Sequence, residues 1–203
     1  MLRLSVLTLL IQKGSGCVHN LNPISSLGNT EQISKEVGPY TISEVTAYSL
    51  ASYSLRKGSE NDAKKKLEQF TGSSLPDVMN SNFGKISSFW IGPSQWLIEA
   101  PIEIHEDLAS KLSEVSMGKA SITEQTDAWC RFDLKGSELA TPLSLLCNVD
   151  VPLFKGGEVT RCQIDHLGCF LICRDRKNIT ILGPRSAADS LYHAIIAALK
   201  AVV

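Results

Sequence analysis

The sequence predicts an α+β fold in which antiparallel β-sheets have helices packed against them. Three observations support this prediction: strand-like segments outnumber helical ones, most strand-like segments come in pairs joined by short turns, and single helices separate these pairs. A parallel sheet would instead show one helix after each strand. The order of segments over residues 44–203 fits two ferredoxin-like halves, with lobes at about 44–120 and 121–203.

The first lobe begins with a strand pattern and continues through a helix, a hairpin and a second helix. Residues 45–55 are rich in Thr, Tyr, Ser and Leu and alternate as a strand does. Residues 59–70 place apolar side chains at helical spacing after a serine cap. Two apolar runs, 86–91 and 96–100, are separated by Gly-Pro-Ser-Gln, which predicts a hairpin. Residues 105–115 form an amphipathic helical pattern.

The second lobe repeats this mixture of strands and helices. Its strands are predicted at residues 122–125, 129–134, 159–164, 169–173 and 179–182. Its helices are predicted at residues 137–147 and 186–202. The last helix has the clearest pattern, because apolar residues recur every three or four positions and Ser186 with Asp189 forms a capping signal.

Residues 1–43 differ from the rest of the chain. After the apolar run 4–11 they are rich in Asn, Ser, Pro and Gly, which is the composition of turns and loops. We therefore expect a partly irregular N-terminal arm. The run and Cys17 faintly resemble a lipoprotein export signal, but Lys13 and Gly14 do not fit that pattern, and we expect a cytoplasmic protein.

The composition excludes several classes of protein. Of 203 residues, 43% are hydrophobic and 20% are charged, which is typical of a folded globular domain and excludes a disordered chain. The net charge of −1 shows no basic surplus, so we expect no nucleic-acid partner. No apolar run reaches the roughly 18 residues needed to cross a bilayer, so we expect no membrane partner.

The motifs that would indicate a catalytic or binding site are missing from the sequence. It has no glycine-rich phosphate loop, no nucleophile elbow and no cysteine pair at zinc-binding spacing. We therefore predict no catalytic, cofactor-binding or metal-binding residues in this chain. Reduced thiols are expected for the six cysteines, at positions 17, 130, 147, 162, 169 and 173. Surface positions are expected for the four histidines, His19, His105, His166 and His193.

The three tryptophans allow two interpretations. Trp90, Trp96 and Trp129 are expected to pack in the core or between subunits. The alternative is an aromatic platform for a flat ring such as a pteridine or flavin. The run Lys64, Lys65 and Lys66 is expected to be a solvated helix face.

Five segments of the sequence resemble one known family. Residues 89–101 read Phe-Trp-Ile-Gly-Pro-Ser-Gln-Trp-Leu-Ile-Glu-Ala-Pro and are similar to a segment of the gamma subunit of heterotetrameric sarcosine oxidase. Four further segments match that family in the same order, at residues 126–136, 145–151, 154–161 and 184–187. Any one of these motifs is weak, but five in the right order are fairly specific. The resemblance covers about residues 44–203.

The resemblance implies the folate-binding fold that this family shares with the aminomethyltransferase of the glycine cleavage system. In those transferases a carboxylate just before the equivalent hairpin strand contacts the folate amine, and this chain has Ser87 and Ser88 there. Neither serine can act as a general base at neutral pH without a partner base. The fold is therefore expected without the folate chemistry.

The resemblance also implies a function. Heterotetrameric sarcosine oxidase oxidatively demethylates sarcosine to glycine, with hydrogen peroxide and formaldehyde or methylene-tetrahydrofolate as products. This chain would be its non-catalytic gamma subunit, and the alpha, beta and delta subunits would be partners that carry FAD, FMN, NAD and tetrahydrofolate. One alternative is a stand-alone folate-binding protein of the same fold in one-carbon transfer. Another is an exported lipoprotein of unknown role.

Overall fold

Two antiparallel sheets form the centre of the structure, a computed structural model that describes residues 23–203. Eleven strands and five α-helices are present in these residues. The strands are β1 (Ser34–Val37), β2 (Tyr40–Glu44), β3 (Tyr48–Leu55), β4 (Ser81–Asn82), β5 (Ser87–Gly92), β6 (Gln95–Pro101), β7 (Ala120–Glu124), β8 (Trp129–Lys135), β9 (Val159–Ile164), β10 (Leu167–Asp175) and β11 (Asn178–Pro184). The helices are α1 (Glu60–Thr71), α2 (Ile102–His105), α3 (Leu108–Ser116), α4 (Ala140–Ser144) and α5 (Ala188–Ala201).

The strands divide between a six-stranded and a five-stranded sheet. The six-stranded sheet has the order β1-β2-β8-β11-β10-β9, and the five-stranded sheet has the order β4-β5-β6-β3-β7. Every neighbouring pair runs antiparallel. The predicted α+β class, with antiparallel sheets and packed helices, is therefore confirmed.

The two sheets pack face to face and carry helices on their outer faces. Helices α4 and α5 pack against an apolar cluster on the six-stranded sheet, and α1 and α3 pack against another on the five-stranded sheet. A third cluster lies between the sheets and consists of Leu50, Phe89, Leu97, Val159, Phe170, Ile172 and Leu182. The layers therefore follow the order helix, sheet, sheet, helix.

Strand β10 illustrates how the sequence produces these layers. Successive side chains point to opposite faces of a strand, so Cys169 and Leu171 pack towards the helices while Phe170 and Ile172 pack towards the second sheet. All four side chains are buried. A strand buried on both faces needs an almost continuous apolar run, and residues 169–173 provide one.

Two local backbone features fix the packing around β10. Asp165 and His166 have φ values of 46° and 67°, so they form a two-residue hairpin turn of the type that matches the twist of the flanking strands. At Gly183 of β11, a Cβ atom would overlap the side chain of Leu191 on α5. The missing side chain therefore lets α5 lie close to the sheet.

Residues 34–44 form two strands, which differs from the irregular arm that the sequence predicts there. Strands β1 and β2 make a hairpin, and β2 also pairs with β8. Ile42 is fully buried and Tyr40 nearly so. The sequence pattern is weak because β1 is an edge strand that reads Ser-Lys-Glu-Val and is mostly exposed. The division into two lobes stays a prediction.

Some predicted boundaries shift, and one hypothesis stays untested. The helix predicted at residues 137–147 is shorter, Ala140–Ser144. The last helix begins at Ala188, after a 3-10 turn at Arg185–Ala187.

Residues 4–11, with Cys17 and His19, lie outside the described residues, so the export signal stays a hypothesis. Across residues 23–203 no helix has the length and apolar character needed to cross a membrane.

Candidate functional site

Charged side chains lie among the apolar residues between the two sheets. They are Glu99 on β6, Arg131 and Asp133 on β8, and Arg174 on β10, with Thr180 on β11 beside them. We call these five residues the charged network. The Glu99 side chain is 2% exposed, and those of Arg131, Asp133 and Arg174 are 10, 12 and 15% exposed. Burial to this degree makes each charge dependent on its partners.

Strand alternation places these side chains at the interface. Glu99 lies between Ile98 and Ala100, which pack towards helices α1 and α3, so its own side chain faces the other sheet. Arg131 and Asp133 flank Phe132 in the same way, because Phe132 packs towards helix α5. The network therefore occupies the space where the two sheets meet.

The first half of the network is centred on Arg131. Its Nε and Nη2 atoms donate to Asp133 Oδ1 and Oδ2, both at 2.9 Å, which is the paired geometry typical of a guanidinium and a carboxylate. Its Nη1 atom donates to Glu99 Oε2 at 2.7 Å. One arginine thus joins two carboxylates.

The second half of the network is centred on Arg174. Its Nη2 atom donates to both carboxylate oxygens of Glu99 at 3.0 Å, and its Nε atom donates to Thr180 Oγ1 at 3.0 Å. Thr180 in turn donates to Asp133 Oδ1 at 2.7 Å. These bonds, with those of Arg131, close the network into a ring.

Aromatic rings cover the two guanidinium groups. The Arg131 guanidinium carbon lies 4.7 Å from the centre of the Tyr48 ring, and that of Arg174 lies 4.7 Å from Phe83 and 5.1 Å from Phe89. A cation over a ring face is attracted by the ring quadrupole. The rings therefore hold both arginines in place.

The surroundings of Arg131 and Asp133 favour the ionised forms of both side chains. Burial alone would raise the pKa of Asp133, but the hydrogen bonds and charge of Arg131 and the Thr180 hydroxyl lower it overall. Burial alone would lower the pKa of Arg131, but Asp133 and Glu99 raise it. A carboxylate held in this way is a poor general base, so the network is suited to holding the sheets together.

A cavity of about 360 Å³ lies next to the network, and Arg131 lines it. Tyr48, Leu50 and Trp129 form other parts of its wall. Arg185 also lines the cavity, pairs with Asp127 at 3.4 Å and donates to the Ile24 carbonyl at 3.1 Å. The cavity has aromatic, cationic and acidic surfaces, since Glu31 and Asp127 also line it.

Ser87 and Ser88, the serines predicted to replace a transferase carboxylate, are buried. Ser87 on β5 lies directly opposite Glu99 on β6. Ser88 is fully buried and its hydroxyl oxygen has no hydrogen-bond partner. The carboxylate across from Ser87 is thus Glu99, whose two oxygens are already bound by arginines.

The described histidines lie apart from the network and the cavity. His105 ends α2 and meets the Phe70 ring edge-on at 6.0 Å, His166 lies in the β9–β10 turn, and His193 on α5 pairs with Asp189 at 3.4 Å. Among residues 23–203 no three His, Cys, Asp or Glu side chains are grouped in a way that could hold a metal ion.

The three tryptophans do not form a shared platform. Trp90 and Trp96 are cross-strand partners on β5 and β6 and belong to the cluster beneath α1 and α3. The Trp96 indole donates to the Pro76 carbonyl at 3.1 Å. Trp129 lies elsewhere, in the cavity wall, and donates to Gln125 Oε1 at 3.0 Å. The flat-ligand alternative therefore rests on Trp129 alone.

Sequence reasoning missed the charged network. One signal is present: a glutamate lies within the apolar run Trp-Leu-Ile-Glu-Ala, and Arg131 and Asp133 flank a buried phenylalanine. Charged residues at strand positions that must face a core indicate an internal ion pair. The identity of the partner strands does not follow from this signal.

The fold is similar to two proteins of known structure. No protein-family model and no curated protein matches the chain. Heterotetrameric sarcosine oxidase from Corynebacterium sp. U-96, in complex with pyrrole 2-carboxylate, superposes with a TM-score of 0.72 at 18% identity, over 81% of this chain and 86% of that chain. Glycine cleavage system aminomethyltransferase T from Bartonella henselae superposes with a TM-score of 0.55 at 12% identity, over 75% of this chain and 44% of that one. The resemblance predicted from the sequence is thus confirmed at the level of fold.

Proposed function

We propose that this chain is a non-catalytic structural subunit, similar to the gamma subunit, of a heterotetrameric sarcosine oxidase. The similarity to sarcosine oxidase is the observation that carries the proposal. It extends over most of both chains, so the two chains have similar lengths and share a whole fold. The proposed complex oxidises sarcosine to glycine and produces hydrogen peroxide with formaldehyde or methylene-tetrahydrofolate.

The interior of the fold supports a structural role. The space between the sheets is filled by the charged network and the apolar cluster around Phe89 and Phe170. No carboxylate among the described residues stands free beside Ser87 and Ser88, since Glu99 is bound by both arginines. We infer that the chain contributes shape and surface to the complex, while partner subunits contribute catalysis.

The exposed surface also supports assembly with partners. Val78, Met79 and Phe83 are near neighbours in sequence and are 63, 50 and 42% exposed. We call these three residues the apolar patch. It flanks the short edge strand β4, whose backbone is linked to the segment before β9. Exposed apolar side chains that lie near one another in the chain are the kind of residue that protein interfaces bury.

The partners in this proposal are the alpha, beta and delta subunits. FAD, FMN, NAD and tetrahydrofolate are expected on those subunits, and no cofactor is expected on this chain. The complex is expected in the cytoplasm.

A tagged pull-down from the native host tests this proposal. The eluate should contain three further subunits, absorb visible light as flavoproteins do, and oxidise sarcosine with release of peroxide. A matched eluate from an untagged strain provides the background. If the chain elutes alone and colourless, the proposal is wrong.

A stand-alone folate-binding protein is the second candidate, and the cavity beside Arg131 favours it. Its volume of about 360 Å³ falls near the lower end of the ~300–1,000 Å³ usual for small-molecule sites. Titration calorimetry of the isolated chain with tetrahydrofolate separates the two candidates. Micromolar binding that is lost in Trp129→Ala supports the folate role, and absence of heat excludes it.

A further inference from the structure

Residues 24–32 form part of the wall of the cavity beside Arg131. We call this segment the N-terminal strap. It contains no helix or strand. The strap residues that line the cavity are Ile24, Ser25, Ser26, Thr30, Glu31 and Gln32. Other elements supply the rest of the wall, among them β3 and β8. Displacing the strap would remove its part of the wall and open the cavity to solvent.

The backbone of the N-terminal strap is attached only weakly to the rest of the fold. The Ser25 amide donates to the Asn29 carbonyl at 2.7 Å, and the Gly28 amide donates to the Ser25 carbonyl at 3.0 Å, so both bonds stay within the strap. Among residues 23–203 no backbone–backbone hydrogen bond joins the strap to another element. Its Leu27 side chain is partly buried against the apolar cluster beneath α5. A segment held by so few interactions opens at a low cost in free energy.

The Glu44 side chain on β2 provides the strongest polar attachment of the strap. Its Oε1 atom accepts hydrogen bonds from Ser26 Oγ at 2.6 Å and from the Leu27 amide at 3.2 Å. Both bonds are partly buried. Two further attachments, to Arg185 and Thr46, are exposed to water. Since water competes less with a buried bond to a charged group, closure of the strap depends mainly on Glu44.

The Glu44 carboxylate is buried without a compensating positive charge. It is 2% exposed, and its Oε2 atom has no hydrogen-bond partner among the described residues. None of the ion pairs that residues 23–203 form includes it. Burying a charged group without a partner costs free energy. This cost is relieved when Ser26 and Leu27 move away and water reaches the carboxylate, so it opposes the closed position of the strap.

We propose that the N-terminal strap is a lid that opens while both sheets stay folded, with Glu44 as its latch, and that it controls the access of small molecules to the cavity. The structure shows the closed position. The hydrogen bonds of Glu44 favour closure, and the burial of its charge favours opening. This role is independent of the subunit assignment above.

Two native cysteines make the opening of the strap measurable. Cys130 is 2% exposed and lines the cavity. Cys169 is fully buried on β10 and lies outside the cavity wall. Both belong to the apolar cluster beneath α5, so they share one face of the six-stranded sheet. Opening of the strap exposes Cys130 alone, whereas unfolding of the sheet exposes both thiols.

Thiol labelling of the full-length parent chain in dilute urea tests this proposal. N-ethylmaleimide is added at urea concentrations below the unfolding transition, and peptide mapping by mass spectrometry gives the labelling rate of each thiol. The rate at Cys169 should rise steeply with urea, because unfolding of the sheets exposes a large surface. Cys130 should be labelled at least about tenfold faster, at a rate nearly independent of urea, because opening of the strap exposes little surface.

Two results of this labelling overturn the proposal. If Cys130 is labelled no faster than Cys169 and with the same urea dependence, the strap opens only when the whole domain unfolds. If Cys130 in the folded chain is labelled as fast as a free thiol, the strap does not close the cavity.

Two alanine variants test the latch. Glu44→Ala removes the acceptor of both hydrogen bonds to the strap, and it should raise the labelling rate of Cys130 about tenfold while that rate stays independent of urea. The matched control is Glu31→Ala, an exposed carboxylate on the strap itself, which should leave the rate unchanged. An unchanged rate in Glu44→Ala contradicts the latch. The parent chain alone tests the opening of the strap, so misfolding of a variant does not remove that test.

Discussion

Replacing Glu99 by glutamine tests whether the charged network holds the two sheets together. The substitution keeps the size of the side chain but removes the charge between Arg131 and Arg174. Both Glu99 oxygens accept hydrogen bonds from guanidinium groups, whereas a glutamine has one oxygen and one NH₂ group. At least one arginine therefore loses its acceptor and faces another donor.

The expected loss of stability follows from the burial of the partners. Removing one member of a buried ion pair costs about 3–5 kcal/mol. Arg131 keeps its hydrogen bonds to Asp133, while Arg174 keeps one hydrogen bond, to Thr180, and its contacts with two aromatic rings. The Arg174 side chain is 15% exposed, so water can reach it in part. We therefore expect the free energy of unfolding to fall by about 3 kcal/mol, the lower end of that range. For a domain of this size that corresponds to a fall in Tm of about 6–12 °C.

Chemical denaturation with urea and a thermal melt measure this loss. The matched control is Glu36→Gln on the exposed strand β1, which should change the free energy of unfolding by less than about 0.5 kcal/mol. Adding Arg174→Met to Glu99→Gln should recover part of the loss, because the uncompensated charge is then gone. A loss below about 1 kcal/mol in Glu99→Gln would refute the reasoning, since that value is typical of an exposed pair.

Three further changes have defined outcomes. Because the pKa of Asp133 is lowered in the folded chain, its contribution to stability is present above its ordinary pKa of 3.8 and is lost as pH falls through the lower folded value. Asp133→Asn should therefore flatten the pH dependence of the unfolding free energy in this acid range. Gly183→Ala should cost about 1–3 kcal/mol in urea denaturation because the new methyl group overlaps Leu191. Val78→Asp should reduce copurification with flavoprotein subunits without changing Tm, because Val78 is 63% exposed.

Each of these changes has a matched control in the same chain. Asp150→Asn replaces an exposed carboxylate and should leave the acid dependence unchanged. Gly84→Ala places a methyl group in ordinary contact with its surroundings, so the free energy of unfolding should change little. Leu145→Asp changes an apolar residue that is about as exposed as Val78 but lies outside the apolar patch. This variant should still copurify with the partner subunits. If a control behaves like its test variant, the corresponding explanation is wrong.

Local pattern was enough to predict most elements of the fold. The sequence pattern that predicts each of these elements lies within the element itself. Examples are strand β3, helix α1, the β5–β6 hairpin and helix α5. The β5–β6 and β9–β10 hairpins close over short turns, so their pairing also follows from the sequence. These elements are specified by neighbours along the chain.

The hairpin β1–β2 and the charged network depend on distant parts of the chain. Strand β2 is stabilised by pairing with β8, and its five residues alternate between buried and partly exposed positions over too short a run to identify that partner. Glu99 is 32 residues from Arg131 and 75 residues from Arg174 in sequence. A single sequence does not indicate which strands meet, so the ring of hydrogen bonds could not be predicted from it.

The pairing of β2 with β8 has a consequence for the order in which the chain assembles during synthesis. The five-stranded sheet uses only residues between β3 and β7, which leave the ribosome as one uninterrupted stretch. The six-stranded sheet begins before that stretch and is completed after it. The first hairpin must therefore wait, with an unpaired edge, until β8 emerges. Domains that form from contiguous chain fold as units during translation, so we expect the five-stranded sheet to form first and to bring the two parts of the other sheet together.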